Sequence, residues 1–368
     1  MSAGNANAVW LQKVGRILFR KADAALGRLY PLHKTLAAME LRPFELHLEL
    51  TNLCNADCVF CPYQFQERKT EVMSDAIFKK AVADYVAAGG GSVGLTPVVG
   101  DALIDPSFVS RVKYLRSFPQ IDRIWLTTNA ILLDRHGVDE VLDLGLTAIT
   151  ISTAGFDEAM YARVYRNRSY HRMRQNVLKL LERNAARRNP IPVAIALRPD
   201  RALKEVMQDP DFQSILAYRP QLDFAWSYAT ANGRIRRESL PPLMKIRTVS
   251  QVKKESCVQL YNGPIVLSNG TVLACSCVAS MDAEQDLGIG NILESNLLDL
   301  WRSDRLRQLR ESFRDGRMNP TCSGCDMYRD LELYQTSEGR ERARINLARN
   351  RGLVTIRKTS PRGPFAGG

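Results

Sequence analysis

The sequence predicts an α/β chain: a parallel sheet curled into an open barrel, followed by a smaller cysteine-bearing unit. Three observations predict it. Six strand-like runs alternate with segments of helical periodicity, and parallel neighbours need crossovers long enough to hold a helix. Right-handed crossovers curl such a sheet one way, and six units leave it open. The eight cysteines fall into two groups, Cys54, Cys58 and Cys61 in one loop and Cys257, Cys275, Cys277, Cys322 and Cys325 near the C-terminal end.

In chain order, Val9 to Ala38 carries Leu11, Val14, Leu18, Ala22, Ala25, Leu29, Leu32 and Leu36 at three- and four-residue steps with Lys and Arg between them, an amphipathic helix that Pro31 kinks or divides. Such a helix packs on a barrel or makes peripheral contact with an anionic membrane, and packing is the reading preferred here. The first strand is Phe44 to Leu50. Ser74 caps and Gly89 stops a helix bearing Ile77, Phe78, Val82, Tyr85 and Val86. Further strands are expected at Ser92–Val99, Ile121–Thr127, Ala148–Ser152, Pro192–Leu197 and Leu222–Ser227, with helices at Asp134–Leu144 and Tyr170–Arg187 among those between. The polar segment from Gly233 to Glu255, broken by Pro241-Pro242, reads as a linker. Beyond it, Leu267-Ser-Asn-Gly-Thr-Val-Leu273 reads as a hairpin turning at Asn269-Gly270, and Asn291 to Arg310 as a loop entering a helix around Trp301. The expected units are therefore an extension at 1–43, the barrel at 44–232, a linker at 233–256, a second unit at 257–330 and a basic tail at 331–368, disordered at least in part beyond about Arg357.

Composition sets the class. With 368 residues, 45% hydrophobic and 24% charged, the chain can bury a large core. No apolar run approaches the roughly 20 residues of a membrane span, and Met1-Ser-Ala-Gly-Asn-Ala-Asn lacks a signal design, so a cytoplasmic protein is expected. In that compartment cysteines serve as metal ligands or reactive thiols rather than disulfides. The net charge of +12 would suit nucleic acid, but residues 1–44 hold seven basic against two acidic side chains and residues 337–368 hold eight against two, so eleven of the twelve excess charges lie at the ends. The body is almost neutral, and no nucleic-acid partner is expected.

Three thiols within eight residues, Cys54-Asn-Ala-Asp-Cys58-Val-Phe-Cys61, suit a cluster rather than packing, because a loop presenting several sulfurs to one metal centre needs short, irregular spacing. The CxxxCxxC arrangement, with the aromatic Phe60 before its last cysteine, resembles the signature of the radical S-adenosylmethionine (radical SAM) superfamily. That resemblance implies a partial (β/α)6 TIM-like barrel, with the cysteine loop at the carboxyl end of the first strand. It also implies a 4Fe–4S cluster on Cys54, Cys58 and Cys61 whose fourth iron holds S-adenosylmethionine. An electron supplied by a partner such as flavodoxin or ferredoxin then cleaves this to a 5'-deoxyadenosyl radical. Weaker landmarks follow. Val99-Gly100-Asp101 resembles the family's Gly-Gly-Glu motif for the amino group of S-adenosylmethionine, with Val for the first Gly and Asp for the acid, so it rests on backbone position more than on side chain. Asn129 follows the third strand, Ser152 ends the fourth where the family reaches the ribose, and Arg198 past the fifth can pair with the methionine carboxylate. Ordinary loop chemistry is the alternative for these three.

The hairpin, helix and closing Cys-x-x-Cys of the second group resemble the auxiliary-cluster extensions called SPASM and Twitch domains. A full SPASM domain needs about seven cysteines for two clusters, whereas five are present. One auxiliary 4Fe–4S cluster on Cys257, Cys275, Cys322 and Cys325 resembles the Twitch ligand set and leaves Cys277 over. A zinc site is the alternative, and iron and sulfide analysis decides between them. Two reactions on a carbohydrate-type substrate stay open. In one, Cys277 donates a hydrogen atom and inverts a stereocentre; in the other, the auxiliary cluster accepts an electron as an alcohol becomes a ketone. Epimerisation is the narrow preference. A peptide maturase is a third reading, although 43 residues before the first strand are few for a peptide-recognition domain, and a non-enzymatic binding module is a fourth. Cleavage of S-adenosylmethionine under dithionite excludes the last.

Overall fold

The computed structural model describes residues 31–95, 99–248, 252–275 and 282–352. A short helix α1 (Leu32–Glu40) begins directly after Pro31 and leads into β1 (Glu45–Leu48); the rest of the expected N-terminal helix lies outside the described residues. Five more parallel strands follow, β2 (Gly91–Gly94), β3 (Ile121–Thr128), β4 (Ala148–Thr153), β5 (Val193–Leu197) and β6 (Gln221–Phe224), each hydrogen-bonded to the one before. This is the α/β partial barrel. Alternate strand residues such as Leu46, Leu48, Ile124, Leu126, Ile149, Ile151, Ile195 and Leu197 are buried, the period-two pattern of strands covered by helices on one face.

Local chemistry explains the element ends. Ser74 Oγ accepts from the Ile77 amide at 3.3 Å at the start of α2 (Asp75–Ala87), which ends at Gly89 with φ +98°. The segment expected as one helix over Asp134–Leu144 is instead two short turns, Leu133–His136 and Val138–Asp143, divided at Gly137 with φ +78°, a backbone that only glycine adopts without strain. β6 stops at Phe224, and the chain then forms a separate two-residue strand β7 (Ser227–Tyr228) paired in parallel with β8 (Lys245–Ile246).

The sheet does not end at β1. A C-terminal hairpin of β9 (Ile265–Val266) and β10 (Thr271–Leu273), turning at Gly270 with φ +88°, adds β9 parallel to the free edge of β1, and β11 (Gly288–Asn291) follows β10, giving nine strands in the order β11-β10-β9-β1-β2-β3-β4-β5-β6. The two halves of the chain therefore share one sheet.

Two expectations are corrected. The segment read as a linker contributes β8 and is threaded into the fold. The chain from 331 is no simple tail: helix α3 (Ser337–Asn350) packs against α1 at the amino end of the strands. The other helices are identified by residue range. Asn346 donates to the carbonyls of Ala38 and Arg42, each at 2.9 Å, and fully buried Arg42 donates to Asn346 at 2.7 Å and to the carbonyls of Ala88 and Gly90. Arg349 pairs with Asp122, and Arg342 lies 3.6 Å from Glu45. Part of the terminal positive charge thus serves internal pairing. Among the described residues no helix is long and apolar enough to cross a membrane.

Candidate active site

The first cysteine loop leaves β1 through Leu50-Thr51-Asn52-Leu53, and this approach is pinned before Cys54 is reached. Asn52, fully buried, accepts from the Glu71 amide at 2.8 Å and donates to Lys69 O at 2.7 Å, while Thr51 Oγ1 donates to Glu71 O at 2.8 Å. The loop then hangs on the end of the helix Glu158–Tyr165: the Asp57 amide donates to Tyr165 O at 3.1 Å and the Val59 amide to Val164 O at 2.9 Å. Asn167 donates to Asn55 O.

The three thiols share one shift, each held in its neutral form by its surroundings. Burial pushes the Cys54 thiol up to about 12, with the Asp101 charge adding to the shift. Burial, with Cys61 and Cys54 beside it, raises Cys58 well above the usual thiol range, and burial brings Cys61 to about 11. Buried thiols at such values become thiolates when a cationic cluster compensates them. Two donors already face the sulfurs: the Tyr63 amide lies 3.5 Å from Cys61 Sγ, and Asn129 Nδ2 lies 3.9 Å from Cys54 Sγ.

The expected S-adenosylmethionine contacts gather at this same end of the sheet, in two groups. Gly100 has φ +90°, and a Cβ there would stand 2.3 Å from Thr51 O, so only glycine lets the 99–101 turn approach the cysteine loop. Asp101 is buried. Its amide donates to Leu53 O at 2.8 Å, and its carboxylate accepts from the Leu103 amide at 3.0 Å, Thr128 Oγ1 at 2.8 Å and the Asn129 amide at 2.8 Å. Both oxygens are thereby engaged within the protein, so the acid shapes the turn and holds Asn129 toward Cys54, and the backbone is what it offers a ligand. Asn129 Nδ2 also donates to Asn55 Oδ1 at 2.6 Å.

The second group is an aromatic wall. Phe60 stacks on Tyr228 at 4.9 Å between centroids and meets Tyr165 edge-on at 5.7 Å, and Ser152 Oγ shares a hydrogen bond of 2.8 Å with the Tyr165 hydroxyl. Burial raises Tyr165 well above the phenol range; Cys58 adds to the rise and Arg198 opposes it. Arg198 donates to Leu197 O at 3.1 Å and lies 3.6 Å from Asp223, with its side chain partly exposed. The tyrosines of this wall and Tyr161, whose phenol is raised by burial and by Cys58 and Cys54, were not singled out from sequence. The spacing of Tyr161 and Tyr165 reads as an ordinary core stripe on a helix, and only the loop's return to that helix turns the stripe toward the cysteines, whereas Tyr228 comes from β7.

In the C-terminal unit, Cys257 precedes the short helix Gln259–Asn262, Cys275 follows β10, and Cys322 lies within the short helix Pro320–Gly324 with Cys325 directly after it. Burial and then the Cys275 charge raise Cys257 to about 12 and Cys322 to about 12, and Cys325 stands at about 11 from burial, with Cys275 adding and the Met327 amide, 3.3 Å from its sulfur, opposing. Cys275 thus neighbours all three. None of the seven described cysteines is in a disulfide. Among the described residues no three cysteine, histidine or carboxylate side chains stand at single-ion spacing; a four-iron cluster carries its thiolates on separate irons, and so its ligands need not meet at one point. Cys277 lies outside the described residues.

Comparison with known proteins agrees with this geometry. Residues 48–197 match the model of the Radical SAM superfamily, and residues 257–326 match that of SPASM, an iron-sulfur cluster-binding domain. The chain is 25% identical over 136 residues to the GTP 3',8-cyclase of Chlorobaculum tepidum, covering 37% of this chain and 40% of that protein. It is 28% identical over 139 residues to the PqqA peptide cyclase of Bradyrhizobium diazoefficiens, covering 37% and 35%. The match thus spans about two fifths of the length of these relatives. Streptococcus suis SuiB bound to precursor peptide SuiA has the same fold at a TM-score of 0.55 and 16% identity, over 81% of this chain and 74% of that one.

Proposed function

The protein belongs to the radical SAM superfamily, carries a SPASM-type iron–sulfur domain and uses S-adenosylmethionine with 4Fe–4S clusters, and from that premise we propose that it is an epimerase of a carbohydrate-type substrate. The cofactors supply a 5'-deoxyadenosyl radical that takes a hydrogen atom from a substrate carbon. In this reading Cys54, Cys58 and Cys61 hold the cluster that binds S-adenosylmethionine, and Cys257, Cys275, Cys322 and Cys325 hold the auxiliary one. Gly100 offers backbone to the cofactor's amino group, Asn129 braces the loop, and Phe60, Ser152 and Arg198 lie along the side where adenosine and carboxylate would rest. Cys277 returns a hydrogen atom from its S–H to the opposite face of the substrate carbon. To be restored, the Cys277 thiol would need one proton from solvent and one electron, which a cluster held by Cys257, Cys275, Cys322 and Cys325 would pass on from the external reductant.

The observation that carries the proposal is the division of thiols. Seven of eight cysteines fall into one set of three and one of four, and the eighth stands two residues from Cys275. In Cys277→Ala, 5'-deoxyadenosine should still form while inversion stops and deuterium from solvent no longer enters the product. Normal inversion in that variant refutes the assignment. A second reading, oxidation of an alcohol with the auxiliary cluster as electron acceptor, is favoured by the four-thiol set. A third, modification of a peptide, is favoured by the PqqA peptide cyclase among the relatives. Ketone product or a mass change in a peptide distinguishes them.

A further inference from the structure

The Cys322–Cys325 turn is held by a residue from a distant part of the chain. Lys253 Nζ donates to three backbone carbonyls of this one turn, Cys322 O at 2.8 Å, Ser323 O at 2.7 Å and Cys325 O at 2.6 Å. Three carbonyls on one ammonium use all three of its N–H bonds. They also turn the negative ends of these peptide dipoles toward the lysine. Just beyond the turn, the Met327 amide faces Cys325 Sγ at 3.3 Å. The Cys322 amide is held separately by Asn319 Oδ1 at 2.7 Å. Lys253 lies in the segment whose composition reads as a linker, with nothing in its sequence to tie it to a cysteine 69 residues later.

We propose that Lys253 is a positioning residue of the auxiliary cluster, clamping the Cys322–Cys325 turn and setting a fixed positive charge beside the cluster that raises its reduction potential. The inference rests on the reading that Cys257, Cys275, Cys322 and Cys325 hold a 4Fe–4S cluster, which the residues fit as a set of four partly buried thiols. Four thiolates leave such a cluster anionic, and reduction adds one more negative charge. A nearby cation favours the reduced form, and net charge with hydrogen bonding to the sulfurs is what tunes these potentials. Among the described residues the ammonium is bound by carbonyls and not by a carboxylate, so its positive charge acts on the site beside the negative charge of Asp326. A raised potential makes the auxiliary cluster the better electron acceptor of the two and gives direction to electron flow between them.

The test is a redox titration of anaerobically reconstituted full-length protein, followed by electron paramagnetic resonance, on the wild type, Lys253→Gln and Lys253→Arg, with iron counted in each. Lys253→Gln keeps donors for the carbonyls and removes the charge. Its auxiliary signal should titrate at a lower potential by at least a tenfold change in redox equilibrium, about 59 mV for one electron, while the signal that responds to S-adenosylmethionine stays in place. Lys253→Arg should return the wild-type potential. An unchanged potential in loaded Lys253→Gln overturns the proposal. If Lys253→Gln loses the auxiliary irons, Lys253→Arg decides: loading at the wild-type potential supports the clamp, and failure to load or a potential as low as a neutral side chain gives overturns it. Wild-type protein that holds only about four irons would instead overturn the underlying assignment of a second cluster.

Discussion

Arg68→Met should be among the most damaging single substitutions outside the cysteines. Glu49 sits just past β1 with no exposed side-chain surface, and Arg68, 10% exposed, holds it with two bonds, Nη1 to Oε1 at 2.8 Å and Nη2 to Oε2 at 2.7 Å. On the other side, Ser268 of the C-terminal hairpin gives its amide at 3.2 Å and its hydroxyl at 3.1 Å to Oε1. The carboxylate therefore joins three things: the strand that carries the cysteine loop, the segment that follows this loop, and the hairpin of the iron–sulfur unit. Methionine would fill much of the arginine's volume and leave Glu49 buried and uncompensated. Breaking a buried pair on one side costs about 3–5 kcal/mol, whereas removing both charges costs far less. Arg68→Met should fall in that range, and Glu49→Gln/Arg68→Met should recover about 2 kcal/mol or more of the loss, since a neutral amide can still accept from Ser268. Anaerobic urea unfolding followed by circular dichroism gives both figures, and cluster absorbance shows whether the two thiol sets are released together. A loss below about 1 kcal/mol in the single variant, or a double variant as unstable as the single one, would show that the bridge is screened and contributes little.

Two further outcomes follow from the same geometry. Gly100→Ala must relieve both a positive φ and a Cβ 2.3 Å from Thr51 O, so it should cost about 1–3 kcal/mol and weaken S-adenosylmethionine binding at least tenfold by calorimetry; binding at wild-type strength contradicts the role given to this turn. Burial alone would raise Glu45, but the His47 ring 3.5 Å away and the charges of Arg342 and Arg123 bring it down to about 2 from 4.5. A carboxylate held low contributes stability that is present above pH 4.5 and is lost as pH falls toward 2. The shift corresponds to about 3 kcal/mol, and Glu45→Gln should flatten the acid limb of the stability curve of cluster-free protein over that window, whereas an unchanged limb refutes the coupling.

The strands of the barrel were legible because each is a short run with apolar residues that alternates with helical segments, and the cysteine loop because its spacing has few other uses. What was not legible depends on distant partners. Ile265-Val266 is too short to show any period, so nothing local marks it as the strand that extends β1. Lys253 looks like one more charge in a polar stretch. Arg342, Asn346 and Arg349 read as a solvated basic tail, because sequence cannot show that Arg42, Glu45 and Asp122 wait at the amino end of the barrel. Asp101 was recognised by position, but its committed carboxylate was not, since the donors Thr128 and Asn129 come from the next strand. Gly137 divides a helix that periodicity alone would continue.

β1 explains why the two cysteine groups belong to one machine. One edge of it pairs with β2 and the other with β9, its carboxyl end runs into Cys54, and its last buried acid reaches both Arg68 and Ser268. A displacement of the hairpin therefore moves the strand from which the first cysteine loop is hung, and the reverse holds as well. In a two-domain arrangement joined by a flexible linker, the separation of the thiol sets would vary with each domain motion. Here the sheet runs through the junction without a break, and the supposed linker is itself fixed at β8 and at Lys253. An electron moving between the sites needs a constant distance, and a substrate placed between them needs a constant gap. A continuous sheet supplies both, which is why damage at the Glu49 bridge is expected to disturb the two thiol sets together.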